Sequence, residues 1–352
     1  MEGDTSINIP FEIMFSIFKR LPVESLLRFQ SVSKSWNAIL SERKFKKAQH
    51  DQSKTLGREK LMLQRINGHF EFRDLGNHRS QLFSLKRFQS AEILSSCDGL
   101  VILKEHNSYD EYVLWNPSTR EYRVLSSCPY LNQHDGSPKA CGLCYDSNLD
   151  EYKVILIFVM FYVVYSSKTS CWTRKTSFPC PMQLFNSRCS PGISTGDCVF
   201  WSLNWSLINQ FVDSKTSAII YFDVKSDEMK NLAVPEFIGV NGFFGLTTLK
   251  GCLSLYGGTY HSKELDVWIM EQDGWKWLMN VCNLPCICIK FVQDGKLLWW
   301  SENGEILFYR QWNQLVFIYY PKRKQFVEVA SISKDSKTSM LLTCLDSSYF
   351  PL

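Results

Sequence analysis

Apolar residues recur at three- and four-residue spacing only near the start of the chain. Ile13, Met14, Ile17 and Phe18 form one stripe, and Pro10 stands where the first residue of a helix tolerates proline. Leu21-Pro22 breaks that helix. Glu24, Leu26, Leu27 and Phe29 predict a short second one, and Ser31-Val32-Ser33 offers a cap for a third that carries Trp36, Ile39 and Leu40. Three short helices in about 35 residues enclose a very small core, so this unit is expected to bury leftover apolar surface against another body. On pattern alone, a helical cap on the following domain satisfies that expectation equally well. Beyond residue 60 the pattern changes to short aromatic and β-branched runs broken by Asp-Gly, Asn-Pro and Gly-Gly. The longest, Val154 to Tyr165, has 12 residues, against the roughly 20 that a membrane helix needs, and predicts a buried strand. His50 to Glu59 is polar and aperiodic. The expected organisation is therefore a helical unit over 1–50, a linker over 51–60 and an all-β domain over 61–352.

The β region repeats. A strand, a polar turn and an aromatic or Met that opens the next strand recur as Leu114 to Tyr122, Val164 to Trp172, Tyr221 to Met229, Val267 to Trp275 and Ile318 to Phe326. The closing residues are spaced by 50, 57, 46 and 51. A weaker copy ends near Phe72. A second element, a Gly-centred turn feeding an apolar strand, stands at Asp98-Gly99, Gly196-Asp197, Lys250-Gly251 and Asp294-Gly295. A period near fifty with about four short strands per unit suits the blades of a β-propeller, whose sheets stack to bury both faces. Counting the weak copy predicts about six blades, with Leu341 to Leu352 supplying a closing strand. A two-layer β sandwich is the alternative of similar strand content.

Charge adds little to this picture. The 39 basic and 35 acidic residues leave a net charge of +4, too small to imply nucleic acid or a polybasic membrane contact. All of it lies in the first sixty residues, which hold eleven Lys/Arg and seven Asp/Glu. The dense run Arg43-Lys44-Phe45-Lys46-Lys47 reads as a solvated helix end. Met1 to Ser6 is acidic and polar with no apolar signal segment behind it, so the chain is expected in the cytosol or nucleus. The 13 cysteines are then expected as reduced, mostly buried thiols. Cys141 with Cys144, and Cys282 with Cys286 and Cys288, lack the paired knuckles or neighbouring histidines of a zinc site, and neither a metal nor any other cofactor is expected.

The wording of the first segment adds a family. Ile9-Pro10-Phe11-Glu12-Ile13, Leu21-Pro22-Val23-Glu24-Ser25-Leu26-Leu27-Arg28 and Val32-Ser33-Lys34-Ser35-Trp36 closely resemble the F-box, without a gap from about residue 7 to 45. The resemblance implies docking onto the Skp-type adaptor of a cullin ubiquitin ligase. Carried over position by position, it assigns the contact to Pro10, Ile13, Leu21, Pro22, Val23, Leu26, Leu27, Val32 and Trp36. Trp36 is equally suited to the F-box's own core. Asp98-Gly99-Leu100 and Trp115-Asn116-Pro117-Ser118-Thr119 resemble the kelch-type or F-box-associated domain of a large plant family. Together these imply a non-catalytic receptor that docks to the adaptor and presents a protein target for ubiquitination. The family includes receptors for self-incompatibility, hormone and defence proteins, and nothing in the wording selects a target.

One rival chemistry is spelled out in the chain. Gly192-Ile193-Ser194-Thr195-Gly196 matches the G-x-S-x-G elbow of serine hydrolases, with Asp223 and His261 following in the right order. That elbow requires a helix after the serine. Asp197 to Ser202 reads instead as a strand, which predicts a blade turn and leaves the hydrolase, or an adaptor-independent propeller binder, as the alternative function.

Overall fold

Four helices precede the first strand in the computed structural model, which describes residues 10–65, 69–74, 80–84, 91–105, 111–131, 137–176, 190–203, 218–235, 242–259, 261–286, 292, 295–301, 304–310, 315–331 and 338–350. They are α1 (Phe11–Phe18), α2 (Val23–Gln30), α3 (Lys34–Ser41) and α4 (Arg43–Thr55). Pro10 and Pro22 each sit one residue before a helix. Their carbonyls accept its first amides, from Ile13 and Met14 at 3.1 Å and from Ser25 and Leu26 at 3.0 and 3.2 Å. Ser33 occupies the cap position of α3, but its hydroxyl bonds Ser35 Oγ at 2.8 Å and no helical amide.

The three helices expected from periodicity are joined by a fourth. α4 takes up the basic run and runs on to Thr55, and the strands begin at Glu59, so only Leu56 to Arg58 separates the two domains. Its inward face is Phe45, Gln49, His50 and Ser53. With a single apolar residue in that set there is no hydrophobic period to detect, and the helix is held by polar contacts to the β domain.

Among the described residues the strands form six sheets. The chain first lays down β1 (Glu59–Arg65), β2 (His69–Asp74) and β3 (Ser80–Ser84). The second blade is β4 (Glu92–Cys97), β5 (Leu100–Lys104), β6 (Tyr112–Trp115) and β7 (Tyr122–Val124). The third is β8 (Ala140–Asp146), β9 (Glu151–Ile157), β10 (Tyr162–Ser166) and β11 (Cys171–Lys175), with the two-residue β12 (Ser190–Pro191) parallel to β8. The fourth is β13 (Ile193–Thr195), β14 (Cys198–Leu203), β15 (Ala218–Asp223) and β16 (Glu228–Leu232). The fifth is β17 (Gly242–Leu249), β18 (Cys252–Thr259), β19 (Leu265–Glu271) and β20 (Gly274–Val281). The sixth is β21 (Gly295–Trp300), β22 (Ile306–Arg310), β23 (Leu315–Tyr320) and β24 (Gln325–Ser331). Finally β25 (Thr338–Leu345) pairs antiparallel with β1, so the first blade, β25-β1-β2-β3, draws its strands from both ends of the domain.

Each blade packs on the next through a separate apolar cluster. Because side chains alternate along a strand, Met62 joins Ile93, Val101 and Trp115 of the second blade, while Leu61 and Leu63 join Leu298, Leu307 and Val316 of the sixth. The four remaining clusters join blades two to three, three to four, four to five and five to six. This radial stacking, rather than two facing sheets, makes the domain a propeller.

The repeat seen in the sequence is the outer hairpin of each blade. Arg120, Ser170, Asp227 and Lys324 have φ between 51° and 66°, each two residues before the closing Tyr122, Trp172, Met229 and Phe326. The closing aromatics reach the preceding blade: Trp172 Nε1 donates to Ser126 O at 2.7 Å and Trp275 Nε1 to Ala233 O at 2.9 Å. Two positions differ from the expectation. Phe72 lies on β2, the third strand of its blade, and not on the fourth. In the last blade Asp294 falls outside the described residues and Gly295 opens β21; the turn between its first two strands holds Gly304, at φ 80°.

Candidate functional site

The F-box-like helices divide their apolar residues between two surfaces. Phe18, Leu26, Leu40 and Phe45 form the core, with Met14, Phe15, Leu21, Phe29, Trp36 and Ile39 against it. Trp36 makes edge contacts with Phe18 and Phe29, at ring separations of 5.0 and 5.5 Å. Of the nine residues assigned to docking, Val23 and Leu26 are buried and Leu21 and Trp36 are half-buried; Leu21, Leu26 and Trp36 belong to the core of the helices. Pro10, Ile13, Pro22, Leu27 and Val32 are exposed. Exposure reaches 52% at Ile13 and 65% at Val32. Phe11 and Ile17, absent from the sequence assignment, are half exposed as well. The signal for Ile17 was its four-residue step from Ile13. Exposed apolar side chains gathered on so small a unit mark an interaction surface.

The helices are fastened to the propeller by α4 and the segment after β25. Asp346 Oδ2 accepts the amide of Val23 at 3.2 Å, placing a carboxylate at the N-terminus of α2, where the proline carries no donor. Its Oδ1 takes Lys60 Nζ at 3.1 Å and the Ser118 hydroxyl at 2.9 Å. Gln49 Oε1 accepts both the amide and the hydroxyl of Ser348, at 2.8 and 2.9 Å. Asp150, at the turn between β8 and β9, receives Arg43 at 2.7 Å, Lys47 at 3.2 Å, the Tyr349 hydroxyl at 3.0 Å and the Tyr145 hydroxyl. Burial pushes its carboxyl upward, but these four donors outweigh it and hold Asp150 well below the usual carboxylate range. Within the basic run, Arg43 and Lys47 meet Asp150, and Lys46 meets Glu121 at 3.6 Å, while Lys44 is exposed.

His50 sits in the middle of this junction. Its Nδ1 shares a hydrogen bond with Ser347 Oγ at 2.9 Å, and its Nε2 lies 3.9 Å from Asp98. Burial lowers its pKa, partly offset by Asp98. The unfolded chain therefore takes up the proton first as pH falls, so stability is full above the ordinary histidine value and is lost below it. Acidifying from about pH 7.5 to about pH 5.5 is expected to lower Tm more for the natural chain than for His50→Gln, in thermal melts of both.

Comparison with known proteins agrees with this division. Residues 7–48 match the F-box domain and residues 58–347 match the F-box associated beta propeller domain. The chain belongs to the plant F-box proteins of that propeller family. It is 29% identical to the F-box/kelch-repeat protein At3g23880 of Arabidopsis thaliana, covering 85% of each chain. It is 24% identical to the F-box protein At3g07870 of the same plant, over 92% of this chain and 87% of that one. A solved nidogen/laminin complex superposes with a TM-score of 0.48 at 10% identity, covering 82% of this chain and 99% of that one.

In this F-box protein the two family words of the propeller have a shared task. Asn116 is fully buried; its Oδ1 accepts the amides of Ser118 and Thr119, and its Nδ2 donates to the carbonyls of Ser347 and Tyr349, both at 2.9 Å. Gly99, at φ 89°, lies so close to the same segment that a Cβ there would stand 2.7 Å from Ser347 Cβ. Both words seat the C-terminal segment that carries the F-box.

The rival chemistries do not assemble. Ser194 lies on β13 and is followed by a turn and β14, with no helix, and its hydroxyl donates to Cys97 Sγ at 3.1 Å. Asp223 is engaged by Lys230 and by the turn amides of Lys225 and Ser226. Cys141 and Cys144 are buried in different inter-blade clusters, on opposite faces of β8, and cannot share an ion. Cys288 lies outside the described residues.

Proposed function

We propose that this F-box protein is the substrate-receiving subunit of a Skp-cullin-F-box ubiquitin ligase, with no catalytic step of its own. The observation that carries the reading is the exposure of five apolar side chains of the F-box, Phe11, Ile13, Ile17, Leu27 and Val32. A Skp-type adaptor covers them, and the cullin is reached through it. The propeller receives a protein target. Its turns at Asp98, Glu121 and Asp150 are taken up by α4, which leaves the face away from these turns as the one open to a target. The reading places the protein in the cytoplasm or nucleus, where such ligases meet their targets, and assigns it neither nucleic acid nor membrane as partner.

Co-purification of the full chain with a Skp-type adaptor tests the reading. A stable one-to-one complex supports it. A folded full chain that fails to retain the adaptor sinks it in favour of an adaptor-independent propeller binder.

A further inference from the structure

A cavity of about 800 Å³ runs through the centre of the propeller, lined by the inner strands and by the end of α4. This is within the range of sites that enclose small organic ligands, roughly 300–1,000 Å³. Its charged lining is unevenly paired. Asp98 is held by Lys54 at 2.9 Å, and Lys250 at the turn after β17 lies 4.9 Å from the Trp300 ring. The side chain of Lys296, at the start of β21, has neither an ion pair nor a hydrogen bond to any described residue; the carboxyl of Glu59 lines the same cavity, with its pKa raised by burial and by Asp98, which favours its neutral form. Burial alone lowers its pKa, with no acidic group opposing the shift.

An ammonium drawn out of water without a counter-ion costs stability, a cost that a bound anion offsets. Apolar walls surround it: Phe244, Leu298 and Trp300 line the same cavity. We infer that the central channel is a binding site for a small organic anion, whose charged group meets Lys296 and whose apolar or aromatic body lies against Phe244, Leu298 and Trp300. This site is independent of adaptor docking, since none of the exposed F-box residues lines it.

The test uses the full chain and its Lys296→Met and Lys250→Met variants, followed by thermal melts and by titration with 2-naphthoate, its neutral analogue 2-naphthol, and inorganic phosphate. Lys296→Met removes an uncompensated cation, so the free variant is expected to melt about 2–4 °C above the natural chain. The natural chain is expected to bind 2-naphthoate saturably and at least about tenfold more tightly than 2-naphthol. Lys296→Met is expected to erase that preference, whereas Lys250→Met keeps it. Binding of phosphate alone assigns the anion as phosphoryl rather than carboxylate. The inference is overturned if Lys296→Met melts lower than the natural chain, if neither anion binds, or if binding is the same with and without Lys296.

Discussion

Replacing Ile17 and Val32 together by aspartate is expected to abolish capture of a Skp-type adaptor while leaving the melting temperature of the free protein nearly unchanged. Both side chains are at least half exposed in the free chain, so their loss leaves no cavity behind. In a complex, each aspartate must enter an apolar contact without a partner, at a cost of at least about 2 kcal/mol. Two such sites weaken the complex roughly a thousandfold. Trp36→Ala is the contrasting change. It removes the ring wedged against Phe18 and Phe29, and truncating a packed aromatic costs about 3 kcal/mol or more when it is fully enclosed. That variant is expected to lose capture together with F-box stability, visible as a lowered Tm. Pull-down and thermal melts on the same preparations separate the two effects. Undiminished capture by the double aspartate variant would place the docking surface elsewhere.

Ending the chain at residue 337 is expected to prevent the propeller from folding, whereas ending it at residue 345 is expected to release the F-box and only weaken the propeller, which loses buried Tyr349 and the carbonyl partners of Asn116. The first truncation removes β25, the inner strand of the first blade, and exposes the edge of β1 from Glu59 to Arg65. Leu342, Cys344 and Leu345 are buried there, each contributing about 2 kcal/mol. The backbone bonds of the pair add about 1 kcal/mol apiece. The loss is comparable with the whole stability of a domain, about 5–15 kcal/mol. The second truncation leaves the ring closed but deletes Asp346, Ser347, Ser348 and Tyr349, the partners of Val23, His50, Gln49 and Arg43. Limited proteolysis between α4 and β1 reads the difference. A shorter chain, ending at 337, that still gives a resistant propeller core would refute the closing role of β25.

Much of this architecture was legible in the chain because it is local. The helical stripe around Ile13 and Phe18, and the five outer hairpins from Tyr122 to Phe326, depend on spacing along one strand or helix, and the sequence shows that spacing directly. The closing strand was legible as an apolar terminal run from Leu341, but the strand is Thr338–Leu345 and Asp346 to Phe350 lie beyond it. Pattern gave no access to α4, whose buried face is Phe45, Gln49, His50 and Ser53: a helix buried through amide and imidazole groups has no hydrophobic period. Nor did it separate the two roles of the F-box residues, because Leu26 and Leu27 differ by one position and 100° of helix rotation, not by chemistry.

The sequence by itself therefore determined the repeat and the F-box wording, since periodicity and motif spacing are properties of the chain, whereas strand pairing decided the six blades and the closing of the first by β25. Only the tertiary structure decided which apolar residues face outward, why Asn116 and Gly99 stand where they do, and that Lys296 lies in the channel without an acidic partner. The physical reason is the same in each case. Burial and pairing are made between residues far apart in the chain, such as Val23 with Asp346 and Arg43 with Asp150, and no local pattern records them.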